Sequence, residues 1–152
     1  MPGLVVLVPR EIGVYNVARL SNDVSVEFYD LTVTEIRPVS EVEIREAIML
    51  FKISVNKRAL KSGSWPVVGK LPLTDEEKTV KDILFTQDSL SGKISKYIYD
   101  PVTKQSLESP ATAEEVADLE AVAVWDPTHV EERLRDHYAG RRNKWVEHFR
   151  PK

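Results

Sequence analysis

The chain has 152 residues, of which 42% are apolar and 30% charged, and its formal net charge is −3. This length and composition suffice for one packed core, so we expect a single domain over residues 1–152. The chain has no cysteine, which excludes disulfides, thiolate zinc sites and cysteine nucleophiles. The acidic balance argues against a nucleic-acid-binding protein, because phosphate contacts need an excess of Lys and Arg.

Targeting and membrane segments are not predicted. The opening apolar run, Leu4–Val8, lacks the basic start and the small-residue cleavage site of a signal peptide. No run approaches the roughly 20 apolar residues of a membrane span. We therefore expect a soluble cytoplasmic protein without a membrane partner.

The N-terminal part has the pattern of short antiparallel strands. A β-branched run ends at Pro9, and two runs with alternating polarity are separated by the turn residues Ser21–Asp23, which predicts a hairpin. The predicted strands are Leu4–Val8, Val14–Leu20, Val24–Tyr29 and Leu31–Ile36. Strands this close together predict an antiparallel meander or a small open barrel.

A long helix is predicted to begin after Ser40 and to end at Lys61–Gly63. Ser40 and Glu43 have the spacing of a capping box, in which each side chain accepts a hydrogen bond from the other residue's backbone. Apolar side chains then recur at i, i+4, i+7 and i+11 along one stripe. They are Ile44, Ile48, Phe51 and Val55, with Ala59 extending the row. We expect this stripe to pack on the sheet.

The second half mixes short strands with short helices. Strands are predicted within Trp65–Leu73 and at Ile83–Phe85, Ile94–Tyr99 and Gln105–Leu107, the last two as a hairpin, and one helical turn is predicted within Thr74–Lys81. Thr112 and Glu115 repeat the capping-box spacing before a short helix that ends at Leu119.

The most informative stretch is Leu119–Tyr138. Ala121–Trp125 is a continuous apolar run typical of a buried strand. Asp126 can cap a helix that has Pro127 at its first position and ends near Gly140. The apolar face of that helix is predicted to contain Val130, Leu134, His137 and Tyr138. A last short turn, Lys144–Phe149, is expected to dock Trp145 and Phe149 on the body of the protein.

The predicted fold class is therefore α+β. An N-terminal antiparallel β-meander or small open barrel is packed by a long helix, and a mixed strand and helix half follows.

Charge is segregated along the sequence. Residues 111–140 contain eight acids and two bases, whereas residues 52–70 contain five bases and no acid. An acidic face speeds association with a basic partner and repels nucleic acid. The candidate partner-binding residues are Glu114, Glu115, Asp118, Glu131, Glu132 and Asp136.

No catalytic, cofactor or metal site is predicted. His129, Arg133 and Asp136 share one helix face, and histidine and carboxylates can bind a metal, but no His-Glu-x-x-His pattern is present. Ion pairs on a solvated helix face account for the same residues. The sequence also lacks a Gly-x-Ser-x-Gly motif and a glycine-rich phosphate loop.

Several segments in series are typical of one known family. They are Val14–Asp30, Ser64–Leu73, Phe85–Asp88, Leu119–Pro127, His129–Leu134 and Asn143–Trp145. In order and spacing they resemble the immunity protein 26 family of bacterial polymorphic toxin systems. The start, Met1-Pro2-Gly3-Leu4, departs from the Gly-Asp that precedes the first strand in the family, which leaves the length of that strand open.

The resemblance implies a protein that is not an enzyme. Such proteins bind and neutralise the catalytic domain of a cognate toxin in the cytoplasm, and many of these toxins are nucleases. We therefore expect the C-terminal domain of a toxin as the partner, with its active site or substrate cleft occluded, and no cofactor, small-molecule substrate or nucleic acid. Two alternatives stay open: a nucleic-acid-binding module that uses the basic segment Lys52–Lys70, and a metal-dependent hydrolase that uses His129 and its neighbours.

Overall fold

The computed structural model describes residues Met1–Lys152 and contains two β-sheets and four α-helices. The strands are β1 (Leu4–Glu11), β2 (Val14–Leu20), β3 (Val26–Val33), β4 (Met49–Val55), β5 (Val67–Lys70), β6 (Asp82–Gln87), β7 (Ile94–Asp100), β8 (Gln105–Pro110), β9 (Glu120–Ala121) and β10 (Val124–Trp125). The helices are α1 (Glu41–Glu46), α2 (Arg58–Ser62), α3 (Pro127–Ala139) and α4 (Lys144–Phe149), with a 3-10 turn at Glu77–Thr79. The α+β class is confirmed.

The larger sheet has six strands in the order β10-β4-β3-β2-β1-β5 and contains the predicted antiparallel meander. The hairpin of β2 and β3 is confirmed, with Ala18 opposite Phe28. Two boundaries were wrong. β1 continues through Pro9 to Glu11, because Pro9 pairs with Tyr15 of β2 on one side. On the other side β5 pairs only with Leu4–Val6, so no strand there needs an N–H donor from Pro9. The separate strand predicted at Leu31–Ile36 is the end of β3.

The long helix predicted after Ser40 was wrong beyond its first turns. The capping box forms, with Ser40 Oγ accepting from Glu43 N and the Glu43 carboxylate accepting from Ser40 N at 2.8 Å. The helix nevertheless ends at Glu46, and the chain then continues as β4 and the short α2. In β4, Phe51, Ile53 and Val55 alternate into the core, which is the period of a strand.

Both faces of the larger sheet are covered over part of their area. One face packs against α3 through Val130 and Leu134, together with Trp65 and Trp125. The opposite face packs against α1 through Ile44 and against Leu71. The core therefore consists of two apolar layers, one on each side of the sheet.

The smaller sheet has four strands in the order β8-β7-β6-β9, and the predicted strands at residues 83–85, 94–99 and 105–107 all belong to it. The single buried strand predicted at Ala121–Trp125 was wrong. This stretch forms β9 in the smaller sheet and β10 in the larger one, and Val122 and Ala123 cross between them. Trp125 is buried, whereas Val124 is 70% exposed.

The C-terminal helix prediction is largely confirmed. Asp126 Oδ1 accepts from Thr128 N at 2.9 Å, Pro127 begins α3, and Gly140 ends it in the left-handed conformation. His137 and Tyr138 are exposed, so the buried face of α3 is narrower than predicted. Thr112 and Glu115 make the two bonds of a capping box, but residues 113–118 form turns instead of the predicted helix. None of the four helices has the length and apolar composition needed to span a bilayer.

Candidate partner-binding surface

The six predicted contact residues divide into two groups, and the group on α3 is held by neighbouring side chains. Glu131 accepts a hydrogen bond from Trp65 Nε1 at 2.9 Å, and Glu132 accepts one from Trp145 Nε1 at 3.0 Å. Asp136 accepts from Asn143 Nδ2 at 2.9 Å and from Arg141 Nε at 3.2 Å. These three carboxylates therefore fix α3 to the chain around it, a role that the sequence did not reveal.

The other group, Glu114, Glu115 and Asp118, lies on the exposed turns between β8 and β9. The backbone hydrogen bond from Thr112 is the main reason that the pKa of Glu115 lies below its usual range. Glu114 and Asp118 make no side-chain hydrogen bond or ion pair in the structure. They are the predicted contact residues whose charge is freest to meet a partner.

Asp118 also lines a cleft of about 920 Å³ between the two sheets, which we call the intersheet cleft. One wall comes from the β4 and β10 side of the larger sheet and includes the exposed side chains of Met49 and Val124. The facing wall comes from the smaller sheet and includes Leu84, Tyr97 and Tyr99. Exposed apolar side chains gathered in one concave surface mark an interaction site more often than scattered ones do.

The floor of the intersheet cleft is charged. Glu27 and Lys52 line it, and the buried Arg19 lies next to Glu27, so that the three residues form a row across β2, β3 and β4. Arg19 is buried and donates from Nε to Glu27 Oε1 at 3.1 Å, and it also pairs with Glu77. Lys52 Nζ lies 2.7 Å from an oxygen of Asp82, which joins the two sheets across the cleft.

Glu77 is the most strongly held carboxylate of this network. Desolvation alone would raise the pKa of Glu77, but hydrogen bonds from Arg19, from the Thr74 backbone and from Arg45 outweigh it and lower the pKa to about 2. Glu77 is therefore ionised at any pH near neutrality, and its charge is balanced within the protein. The sequence could not show this, because Arg19 precedes Glu77 by 58 residues.

Comparison with known protein families shows which family the chain belongs to. The sequence pattern of the Immunity protein 26 family, Imm26, matches residues 2–110. The chain belongs to this family. No curated protein and no solved structure matches the chain.

The family match ends at the last residue of β8. It includes most of the larger sheet, the floor of the intersheet cleft and the strand wall formed by β6 and β7. All six predicted contact residues, α3 and α4 lie in the remaining part of this Imm26 chain. Membership of the family therefore gives a role without assigning that role to particular acidic residues.

In this Imm26 protein, the residues considered for a metal site contact different neighbouring side chains instead of one another. The His129 ring stacks on Trp145 with 3.7 Å between centroids. Arg133 makes two hydrogen bonds to Glu120 at 2.9 and 3.0 Å and lies over the Phe51 ring. No group of three or more His, Asp or Glu side chains is arranged to hold a metal ion.

The basic segment Lys52–Lys70 does not form one continuous free patch. Lys52 pairs with Asp82, Lys57 donates to the carbonyl oxygen of Asp23, and Arg58 pairs with Asp126. The Arg58 pair also links α2 to the cap of α3. Three of the five cations are thus used within the fold, which disfavours this segment as a phosphate-binding track.

Proposed function

We propose that this protein binds the C-terminal domain of a cognate bacterial toxin and neutralises it by covering its active site or substrate cleft. The observation that carries the proposal is the family match over residues 2–110, which spans most of the chain. Membership of an immunity protein family implies that the protein acts by binding rather than by catalysis. The proposed site of action is the cytoplasm of the cell that makes the toxin.

We infer that the toxin is a nuclease. An enzyme that holds nucleic acid needs a basic cleft for the phosphates, and an inhibitor can place carboxylates where those phosphates would lie. The exposed acids on the turns after β8 and the net charge of −3 support this pairing. In such a complex, the charges mainly raise the association rate and exclude wrong partners, while a few buried anchors supply most of the affinity.

Among the six predicted residues, Glu114, Glu115 and Asp118 are the proposed principal contacts. Glu131, Glu132 and Asp136 remain in the proposed surface at its margin, because each already accepts a hydrogen bond from a neighbouring side chain. Substitution of these three would disturb the attachment of α3 together with any partner contact. They are therefore poor positions for testing the interface.

The proposed function is tested by co-expression. The C-terminal domain of any large toxin gene found beside this one in the source genome is expressed alone and together with the protein, and growth and co-purification are measured. We expect growth to cease with the toxin domain alone and to be restored, with a stable complex, when both are present. Cessation of growth in both cases without a complex would refute neutralisation.

Charge reversal on the turns tests the acidic contact. The double variant Glu114→Lys with Asp118→Lys is expected to slow association with the toxin domain about tenfold or more, because steering by charge is lost. The matched control is Glu11→Lys with Glu46→Lys, which changes the net charge equally at two exposed acids without side-chain partners elsewhere on the surface. Stopped-flow or surface-binding kinetics measure the rate, and equal slowing by both pairs would remove the turns from the interface.

A further inference from the structure

The intersheet cleft exposes strand edges that have no neighbour. β10 pairs only with Ser54 and Val55, so β4 from Met49 to Lys52 has a strand on one side only. β9 likewise pairs only with Leu84 and Phe85 of β6. The unpaired backbone groups of such an edge form hydrogen bonds with an added extended chain, while side-chain pockets on either side give specificity.

One buried polar group in the cleft also lacks a partner. Ser25 is 4% exposed and lines the cleft, and its hydroxyl makes no hydrogen bond within the protein. A buried hydroxyl without a partner carries a free-energy cost. The cleft thus combines open backbone edges, apolar walls and an unpaired hydroxyl.

The accessible charge of the cleft is mainly that of carboxylates. When the arginines that pair with its carboxylates are included, the charges around the cleft balance. Two of these arginines are less accessible than their partners: Arg19 lies buried beneath Glu27 and Glu77, and Arg133 is less exposed than Glu120. Five acids but only two lysines line the cleft itself: Lys52 is held by Asp82, whereas Asp118 and the exposed Lys81 have no ion-pair partner. An occupant therefore meets negative charge first, which is complementary to a lysine or arginine side chain.

We propose that the intersheet cleft takes an extended segment of the toxin that carries a lysine or arginine, and that this segment adds as a strand to the open edge of β4. This inference rests on the proposed function, because it assigns the surface through which the toxin is held. The apolar side chains of Met49 and Val124 flank the added strand, and Asp118 meets its basic residue at the rim of the cleft.

The test compares two lysine substitutions that differ only in location. Val124 in the cleft is 70% exposed, and Leu107 on β8 outside the cleft is 69% exposed, so both positions should accept lysine without loss of the fold. The probe is the toxin C-terminal domain identified by the co-expression test above. We expect Val124→Lys to raise the Kd at least tenfold and Leu107→Lys to leave it within about twofold, with thermal unfolding measured to confirm that both variants are folded.

A measurement on the unmodified complex removes any dependence on the variants. Amide hydrogen exchange is measured for the protein alone and with the toxin domain. The proposal expects slower exchange at Met49–Lys52 in the complex and unchanged exchange along β8. Binding with no protection at Met49–Lys52, or a Val124→Lys variant with the Kd of the unmodified protein, would overturn the cleft assignment and leave neutralisation intact. If the unmodified protein neither binds nor rescues, the proposed function fails and the cleft assignment falls with it.

Discussion

At the scale of single residues, Arg19 has the greatest structural consequence. Its side chain is buried on β2, the middle strand of the β1–β2–β3 meander, where an unpaired charge would be strongly destabilising. Glu27 and Glu77 balance it, and Tyr29 donates its hydroxyl proton to Glu27 at 2.7 Å. Burial, with this hydrogen bond and the nearby Glu27 charge, raises the pKa of Tyr29, so its hydroxyl stays protonated. One buried cation thereby orders side chains from three separate segments.

The Glu77→Gln variant tests this network. At pH 7 we expect the free energy of unfolding to fall by about 1–3 kcal/mol, because Arg19 keeps Glu27 but loses one charged partner. The neighbouring Glu76 is exposed and its side chain has no partner, so Glu76→Gln should change stability by no more than about 0.5 kcal/mol. Urea denaturation measures both, and equal effects would show that Glu77 does not hold Arg19.

The difference in stability between the unmodified protein and the Glu77→Gln variant should depend on pH in a definite direction. The pKa of Glu77 in the fold, about 2, lies below its ordinary value of 4.5. Its contribution to stability is therefore complete above pH 4.5 and is lost as the pH falls toward 2. The stability difference between the unmodified protein and Glu77→Gln should narrow over this range, whereas a constant difference would contradict the assignment.

At the scale of secondary-structure elements, residues 49–55 show how two periods can coincide in one sequence. Ile44, Ile48, Phe51 and Val55 recur with helical spacing, but Met49, Phe51, Ile53 and Val55 also recur with the spacing of a strand. The tertiary context selects the strand, because β3 offers an unpaired edge beside it. Ile48 is consequently 72% exposed, while Ile53 is 3% exposed.

Two alanine substitutions distinguish these structures. A strand predicts that Ile53→Ala lowers the free energy of unfolding by about 2–4 kcal/mol through the cavity that it leaves, and that Ile48→Ala changes it by less than about 0.5 kcal/mol. The predicted helix would give the opposite order, because Ile48 belongs to its apolar stripe and Ile53 does not. Chemical denaturation at neutral pH is the measurement.

What the sequence predicts well is local, and what it misses depends on distant partners. The turn at Ser21–Asp23, the cap at Asp126 and the capping box at Ser40 are formed by neighbours in sequence, and the structure confirms all three. The intersheet cleft could not be predicted, because its walls come from strands of two different sheets. The engagement of Glu131 was missed for the same reason: its indole donor, Trp65, lies 66 residues earlier.

At the scale of the whole molecule, the smaller sheet depends on the larger one. Neither apolar cluster of the core contains a residue of β6–β9, and the buried residues of those strands are Asp82 and Phe85. A small sheet with so little buried apolar surface is marginal by itself. Lys52–Asp82 and Arg133–Glu120 connect it to the larger sheet and to α3.

We therefore expect one cooperative unfolding transition, which is the test of the single domain predicted for residues 1–152. Fluorescence of the three tryptophans, which all contact the core of the larger sheet, reports that sheet. Hydrogen exchange of the β6 and β7 amides in increasing denaturant reports the smaller one. The two transitions should share a midpoint, and earlier unfolding of β6 and β7 would divide the chain into two units.

The crossover between the sheets has a consequence for how such proteins can diversify. β9 and β10 are separated only by Val122 and Ala123, so the covalent chain limits the distance between the cleft walls at this end. Each additional residue in an extended crossover can lengthen its reach by about 3.5 Å. A one-residue insertion between β9 and β10 would therefore change the width of the cleft at this end, without altering any side chain along its walls.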